Sequence, residues 1–355
     1  MHRRVRIRHL VAGLVALAGM MITTGAAPAG AAGPRVLLDN LSSPKGLTLD
    51  GQGNPVISQG AFGPPGQTLR YNVSGSQAGS VDVLGGAQAT VGIAWAKSSD
   101  SYWTLGPYYR ALYRAHVKAT PSATGMLARF AIDNPDPYDQ DNFPTESNPF
   151  AIAAEPNGNA LVGDAAANSV VRIDKQGHTS LVARLALQTV NTPPGSGLPP
   201  QMTAEAVATS VAVAADGTIY VGELKGFPFV PGTSNIWKIP AGTTNAVCSA
   251  NPAVPAKKCS LYKSGLTSIA ALAVAPDQSA VYALEYAKDG VGAFEACLDG
   301  STPCPPAVLV KIKGGHTTEL AAGQLREPGS LATDGHSLYV TDHVFTGGRL
   351  LRLPA

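Results

Sequence analysis

Four acidic residues, Asp164, Glu223, Glu285 and Asp342, close short apolar stretches that otherwise look alike. Carboxylates at equivalent points of a repeat invite two readings. If they converge on one axis, they offer hard oxygen ligands to calcium, or one of them serves as a general base. If they stay apart, each caps its own repeat by accepting hydrogen bonds. The corresponding positions in two further copies are Gln59 and, approximately, Thr104, and neither is acidic. His343 directly follows Asp342, which makes it the histidine best placed to join such a site. Beside Glu223 runs an aromatic loop holding Phe227 and Phe229, which suits either a ligand wall or packing on a neighbouring unit. A second acidic stretch, residues 133–143, lacks the glycine and the final glutamate of an EF-hand loop, so it reads as a solvated, proline-stiffened loop.

No familiar catalytic motif accompanies these acids. The chain has no G-x-S-x-G elbow, H-E-x-x-H helix, P-loop or dinucleotide fingerprint. Past residue 32 the histidines are His116, His178, His316, His336 and His343, none within four residues of another. The cysteines are Cys248, Cys259, Cys297 and Cys304, at separations of 11 and 7 within the two pairs. Zinc sites favour tighter C-x2-4-C spacing, so two local disulfides, Cys248–Cys259 and Cys297–Cys304, are expected, out of three formal pairings.

The elements that carry these residues repeat six times. Each copy has an apolar strand, a turn built on Asp, Asn or Gly, and a second apolar strand. Turn residues Asp100, Asn157, Asp216, Asp277 and Asp334 stand 57, 59, 61 and 57 residues apart, and the first copy turns near Gln52. A third strand with a basic or aromatic interruption follows each copy, as at Arg70, Arg172, Trp237 and Lys311. Fourth, outer strands fit at 80–84, 127–132, 179–183, 259–262 and 317–321. Four strands per unit joined by tight Asx-Gly turns make a propeller blade, so the expected fold is an all-β, six-bladed β-propeller. The sixth unit ends one strand short, while a spare strand near residues 35–39 precedes the first. The N-terminal strand is therefore expected to complete the last blade and close the ring, leaving no free edge. The stretches 133–148, 187–204, 225–234 and 287–306 fall between strands as loops.

The N-terminus reads as an export signal. Arg3, Arg4, Arg6 and Arg8 precede a 13-residue apolar run and then small residues, with cleavage expected after Ala31 or Ala32. That run is shorter than the ~20 residues that span a bilayer. The Arg3-Arg4 pair hints at twin-arginine export without completing that pattern. The expected organisation is a signal peptide, residues 1–32, followed by one propeller domain, residues 33–355, secreted and monomeric. The whole chain has 26 basic and 24 acidic residues; removing the four arginines leaves 22 against 24, a net charge of −2. Such a balance offers no electrostatic basis for nucleic acid or an anionic membrane as partner.

Three phrases carry a family resemblance: Asn148-Pro149-Phe150-Ala151-Ile152-Ala153, the run from Gly163 through Asp164 and Asn168 to Asp174, and Gly222-Glu223-Leu224-Lys225-Gly226-Phe227-Pro228-Phe229. Asn134-Pro135-Asp136 and Ser147-Asn148-Pro149 fit as well. On these residues the chain resembles the ScyD/ScyE family, secreted proteins related to NHL-type propellers. The resemblance implies a propeller and an exported location, and no settled activity. Gln59 and Ala151 stand where that family commonly has acids, which weakens any shared acidic site here. The expected function is a non-catalytic binding module for a small molecule, polymer or protein, with no cofactor. The alternative is a metal-assisted hydrolase or lyase that holds calcium or another ion on the acidic ring.

Overall fold

The computed structural model describes residues 33–61, 66–86, 90–96, 101–106, 111–118, 122–298 and 300–355. The signal segment, including Ala31 and Ala32, and the turn residue Asp100 lie outside the described residues. The described residues form one compact unit. It holds six antiparallel four-stranded sheets arranged as a six-bladed propeller. From the innermost strand outward, blade 1 begins at Gly46–Leu49, blade 2 at Gly92–Ala96 and blade 3 at Pro149–Ala154. Blades 4, 5 and 6 begin at Ala208–Val213, Ile269–Val274 and Leu331–Thr333.

The turn chemistry explains the blade hairpins. In blade 4 the Asp216 carboxylate accepts the Thr218 N–H at 2.9 Å while Gly217 takes φ +85°, a conformation that suits glycine. Asn157 with Gly158 and Asp334 with Gly335 repeat the arrangement. Gln52 lacks the short Asx side chain, and there Asp50 accepts the N–H groups of Gln52 and Asn54 instead, at 2.8 and 2.9 Å. The basic residues of the third strands lie across the second strands. Arg172 makes a two-pronged contact with Glu155, both at 2.8 Å, and Arg352 lies over the Tyr339 ring.

Each sheet is apolar on both faces because each is sandwiched by its neighbours. Six core clusters fill the six gaps in order. Leu161, Val170, Val211 and Val221 pack between blades 3 and 4, and Leu284, Leu309, Val340 and Leu351 between blades 5 and 6. Leu47, Ile57, Tyr339 and Leu350 join the sixth blade to the first, so the core runs unbroken round the ring. The N-terminal strand, Arg35–Leu41, pairs antiparallel with Gly348–Pro354 as the outer strand of blade 6. Ring closure by the N-terminus is therefore as expected.

Three details differ from the sequence reading. Residues 127–132 are not the outer strand of blade 2; Leu127–Asp133 is a helix, and the outer strand is Ser122–Met126. Leu127 and Ala131 lie four apart and both are buried, so one helical face packs on the blade core. The stretch 187–204 contains a hairpin, Gln188–Asn191 with Gln201–Ala204. Blade 3 also gains a fifth, parallel strand, Ala246–Cys248, along Thr179–Leu185. The loop 225–234 stands as read; the acidic stretch is a loop beyond Asp133, which ends the helix, but it is not solvated throughout, because Asp136 is buried and accepts Asn168 Nδ2 at 2.8 Å. Both expected disulfides are present, Cys248–Cys259 and Cys297–Cys304. No helix among the described residues is long and apolar enough to cross a membrane.

Candidate functional site

The four acids end the second strands as expected, but each is engaged within its own part of the fold. Asp164 accepts the Ser147 hydroxyl at 2.6 Å and the backbone N–H of Asn148 at 2.7 Å. Those donors lead into the innermost strand of the same blade. Asp342 accepts the Arg326 N–H at 2.7 Å and the Arg349 guanidinium at 2.6 Å. His343 Nδ1 lies 2.8 Å from both Asp342 Oδ2 and Arg349 Nη2, which ties the histidine into this cap. Glu285 accepts the Thr267 N–H at 3.0 Å. It has no cationic partner among the described residues, and burial pushes its carboxyl up to about 7.

Glu223, like Asp342, is fully buried. It accepts Trp237 Nε1 at 3.1 Å, the backbone N–H and side-chain amide of Asn235, and Lys225 Nζ at 2.8 Å. Lys225 is itself 1% exposed, so this is a fully desolvated ion pair. In blade 1, Gln59 performs the same cap without charge, accepting the Ser42 N–H at 3.0 Å. The strand register corrects the blade 2 position. Gly92 pairs with Leu105 as Ala151 pairs with Gly163, so the equivalent of Asp164 is Gly106 rather than Thr104. Among the described residues, no three His, Cys, Asp or Glu side chains form a group able to hold a metal ion.

Immediately beyond the caps lies the wider mouth of the ring. A cavity of about 490 Å³ opens there, lined from all six blades. Its wall includes Ala165, Leu224 and Tyr286, each the residue just after a capping acid, while none of the four capping acids lines it. The caps thus hold the segments whose next residue forms the wall. A short helix, Val291–Glu295, sits in the 287–306 loop of blade 5 and places Val291, Phe294 and Glu295 on the rim. Phe229 packs behind that helix with Tyr286 and Phe294, whereas Phe227 is exposed and meets Phe229 edge-on. Neither Phe227 nor Phe229 lines the cavity. Of the two readings of the aromatic loop, Phe229 takes the packing one.

Below the cavity the axis narrows to a tunnel of about 70 Å³, too small for an organic ligand. Its upper turn is built by the residues that open the innermost strands: Lys45, Val91, Phe150, Thr209, Ala270 and Gly329. Lys45 is the only charged member of this ring. Its ammonium lies 3.3 Å from the Phe150 ring centroid and 3.4 Å from the Phe150 carbonyl oxygen, and burial lowers its pKa to about 7. Lys45, Phe150, Tyr286 and Phe294 went unrecognised in the sequence. The repeat itself carried the signal for Lys45, because aligning the six copies places a lone lysine among small and apolar residues.

No known family model matches the chain, and no curated protein matches it. Its likeness to solved structures lies in the fold. The PQQ-bound aldose sugar dehydrogenase of Streptomyces coelicolor superposes with a TM-score of 0.51 at 15% identity, covering 93% of this chain and 99% of that one. A putative oxidoreductase (glucose dehydrogenase) of Thermus thermophilus gives 0.52 at 13% identity, covering 90% and 99%. A Bacteroides thetaiotaomicron protein of unknown function gives 0.55 at 11% identity, covering 90% and 76%. What the chain shares with these proteins is the propeller architecture.

Proposed function

We propose that this protein is an exported, non-catalytic propeller that binds a small, largely apolar molecule in the mouth of its ring. The observation that carries this reading is the division of labour between carboxylates and wall. The acids are spent on capping hydrogen bonds, whereas the cavity is faced by residues such as Val91, Leu224, Val291, Phe294, Leu298 and Phe345. A concave apolar site with few polar groups, of a size suited to a drug-like molecule, is the usual form of a small-molecule site. Because the fold hosts both binding proteins and enzymes, the reading rests on the site and not on the fold. The two disulfides and the basic-apolar-small N-terminus support export, with residues 1–32 removed and 33–355 as the working domain. The phrases around Asn148, Gly163 and Glu223 support membership of the ScyD/ScyE family.

The test uses Nile red, an uncharged apolar dye. Its fluorescence should rise and shift to the blue with the purified protein. Leu298→Asp, which adds a charge at a rim position already 44% exposed, should weaken dye binding about tenfold with little change in melting temperature. Wild-type protein that leaves the dye dark, or a Leu298→Asp variant that binds it equally well, would refute the assignment.

A further inference from the structure

We propose that the mouth cavity takes an apolar molecule bearing a single carboxylate, and that Lys45 is the counter-ion of that carboxylate. This deepens the binding reading above and rests on it. The position of Lys45 is the first ground. Among the six equivalent residues at the floor of the cavity, one is a cation and none is an anion. The second ground is its unmet bonding. An ammonium has three N–H donors, and among the described residues the acceptor available to Lys45 is the Phe150 carbonyl at the long distance of 3.4 Å. Among the described residues no carboxylate comes within ion-pairing range of Lys45, although Lys225, Arg172 and Arg349 each have one. Lys45 is half-buried at the floor of an apolar cavity, and a ligand that brings the opposite charge there gains an ion pair less screened than one in open water.

The chemistry of the partner follows from the wall. Among the described residues Lys45 is the single basic one lining the cavity, so a phosphate dianion would keep uncompensated charge in an apolar setting, while one carboxylate matches it. The Phe150 ring beneath Nζ fixes the ammonium at the floor, which places the ligand's head at the tunnel and its apolar body against Val91, Leu224, Phe294 and Phe345. Since burial brings the free amine down to about 7, carboxylate binding above that pH must draw a proton onto Lys45. Among the described residues the other titratable groups on the wall are Tyr286, which burial keeps far above the ordinary phenol range, and Glu295, exposed on the rim.

Decanoate and its uncharged counterpart decanol, each displacing Nile red, test the inference. Decanoate affinity should fall roughly tenfold per pH unit above about 7, and calorimetry in buffers of different ionisation enthalpy should register proton uptake. Decanol binding should not change with pH. Lys45→Met should lose about tenfold or more in decanoate affinity and leave decanol unaffected. Glu295→Gln should keep the wild-type pH profile. Wild-type protein that binds decanol but not decanoate overturns the inference and spares the cavity assignment. Loss of both ligands together with Nile red removes the cavity assignment itself. Decanoate affinity that rises with pH, or survives Lys45→Met, also overturns the inference. Borohydride-trappable attachment of decanal to Lys45 without decanoate binding does so too, by pointing to a nucleophilic amine.

Discussion

Replacing Glu285 by Gln should make the protein more stable at pH 8 and leave it nearly unchanged near pH 4.5. The native carboxyl is 6% exposed, accepts one backbone N–H from Thr267 at 3.0 Å, and is pushed by burial up to about 7 from 4.5. The native state therefore keeps this proton to higher pH than the unfolded chain does. Between those two values the folded state holds more protons, so stability falls as pH rises, by about 1.4 kcal/mol per unit. The full cost, present above about pH 7, comes to about 3 kcal/mol. Glutamine keeps the oxygen that accepts the Thr267 N–H and carries no charge, so it removes the cost and retains the bond. Urea denaturation of wild type and Glu285→Gln at pH 4.5, 6 and 8 would follow the effect. The variant's advantage should be near zero at the first pH and largest at the last. A variant less stable than wild type at pH 8, or an advantage independent of pH, would refute the assignment of Glu285 as an unpaired, desolvated carboxyl.

The remaining predictions concern the other caps and the closure of the ring. Glu223→Gln should destabilise by about 3 kcal/mol or more, because it strands the Lys225 ammonium at 1% exposure. Millimolar calcium should leave the wild-type melting temperature within about a degree; a calcium-dependent rise that vanishes in Glu223→Gln would restore the acidic ring as an ion site. Deleting residues 36–41 should unpair Gly348–Pro354 and expose its edge, so the protein should aggregate on light scattering. A truncated protein that stays monomeric with an unchanged melting temperature would show that closure lies elsewhere.

The fold was legible because its signals are local and repeated six times. Asx-Gly turns, apolar alternation and a missing strand at one end each depend on neighbouring residues. The miss at residues 127–132 has a related cause. The apolar residues of Leu127–Asp133 suit either period over so short a run, and only the buried positions four apart reveal a helix. The strand ends beside the candidate cavity were legible, whereas its lining was not. Asp164, Glu223 and Glu285 end the second strands of their blades, but it is the next residue of each, Ala165, Leu224 or Tyr286, that meets the cavity. A side chain's direction at a strand end depends on which neighbour satisfies it, and the sequence does not display the Ser147, Thr267 or Arg349 partners.

Sequence alone determined the six-fold repeat and the role of the N-terminal strand, and favoured the cysteine pairing that the structure shows, because spacing and hydrophobic period are one-dimensional quantities. Tertiary structure decided what the carboxylates do. Lys225, Arg349 and the backbone N–H groups reach them only once strands have paired, and a buried carboxylate takes the donors that surround it. The same holds for Lys45. Its chain position shows an ordinary lysine, and only the convergence of six blades on one axis places it on Phe150 at the floor of an apolar cavity, away from every carboxylate described here.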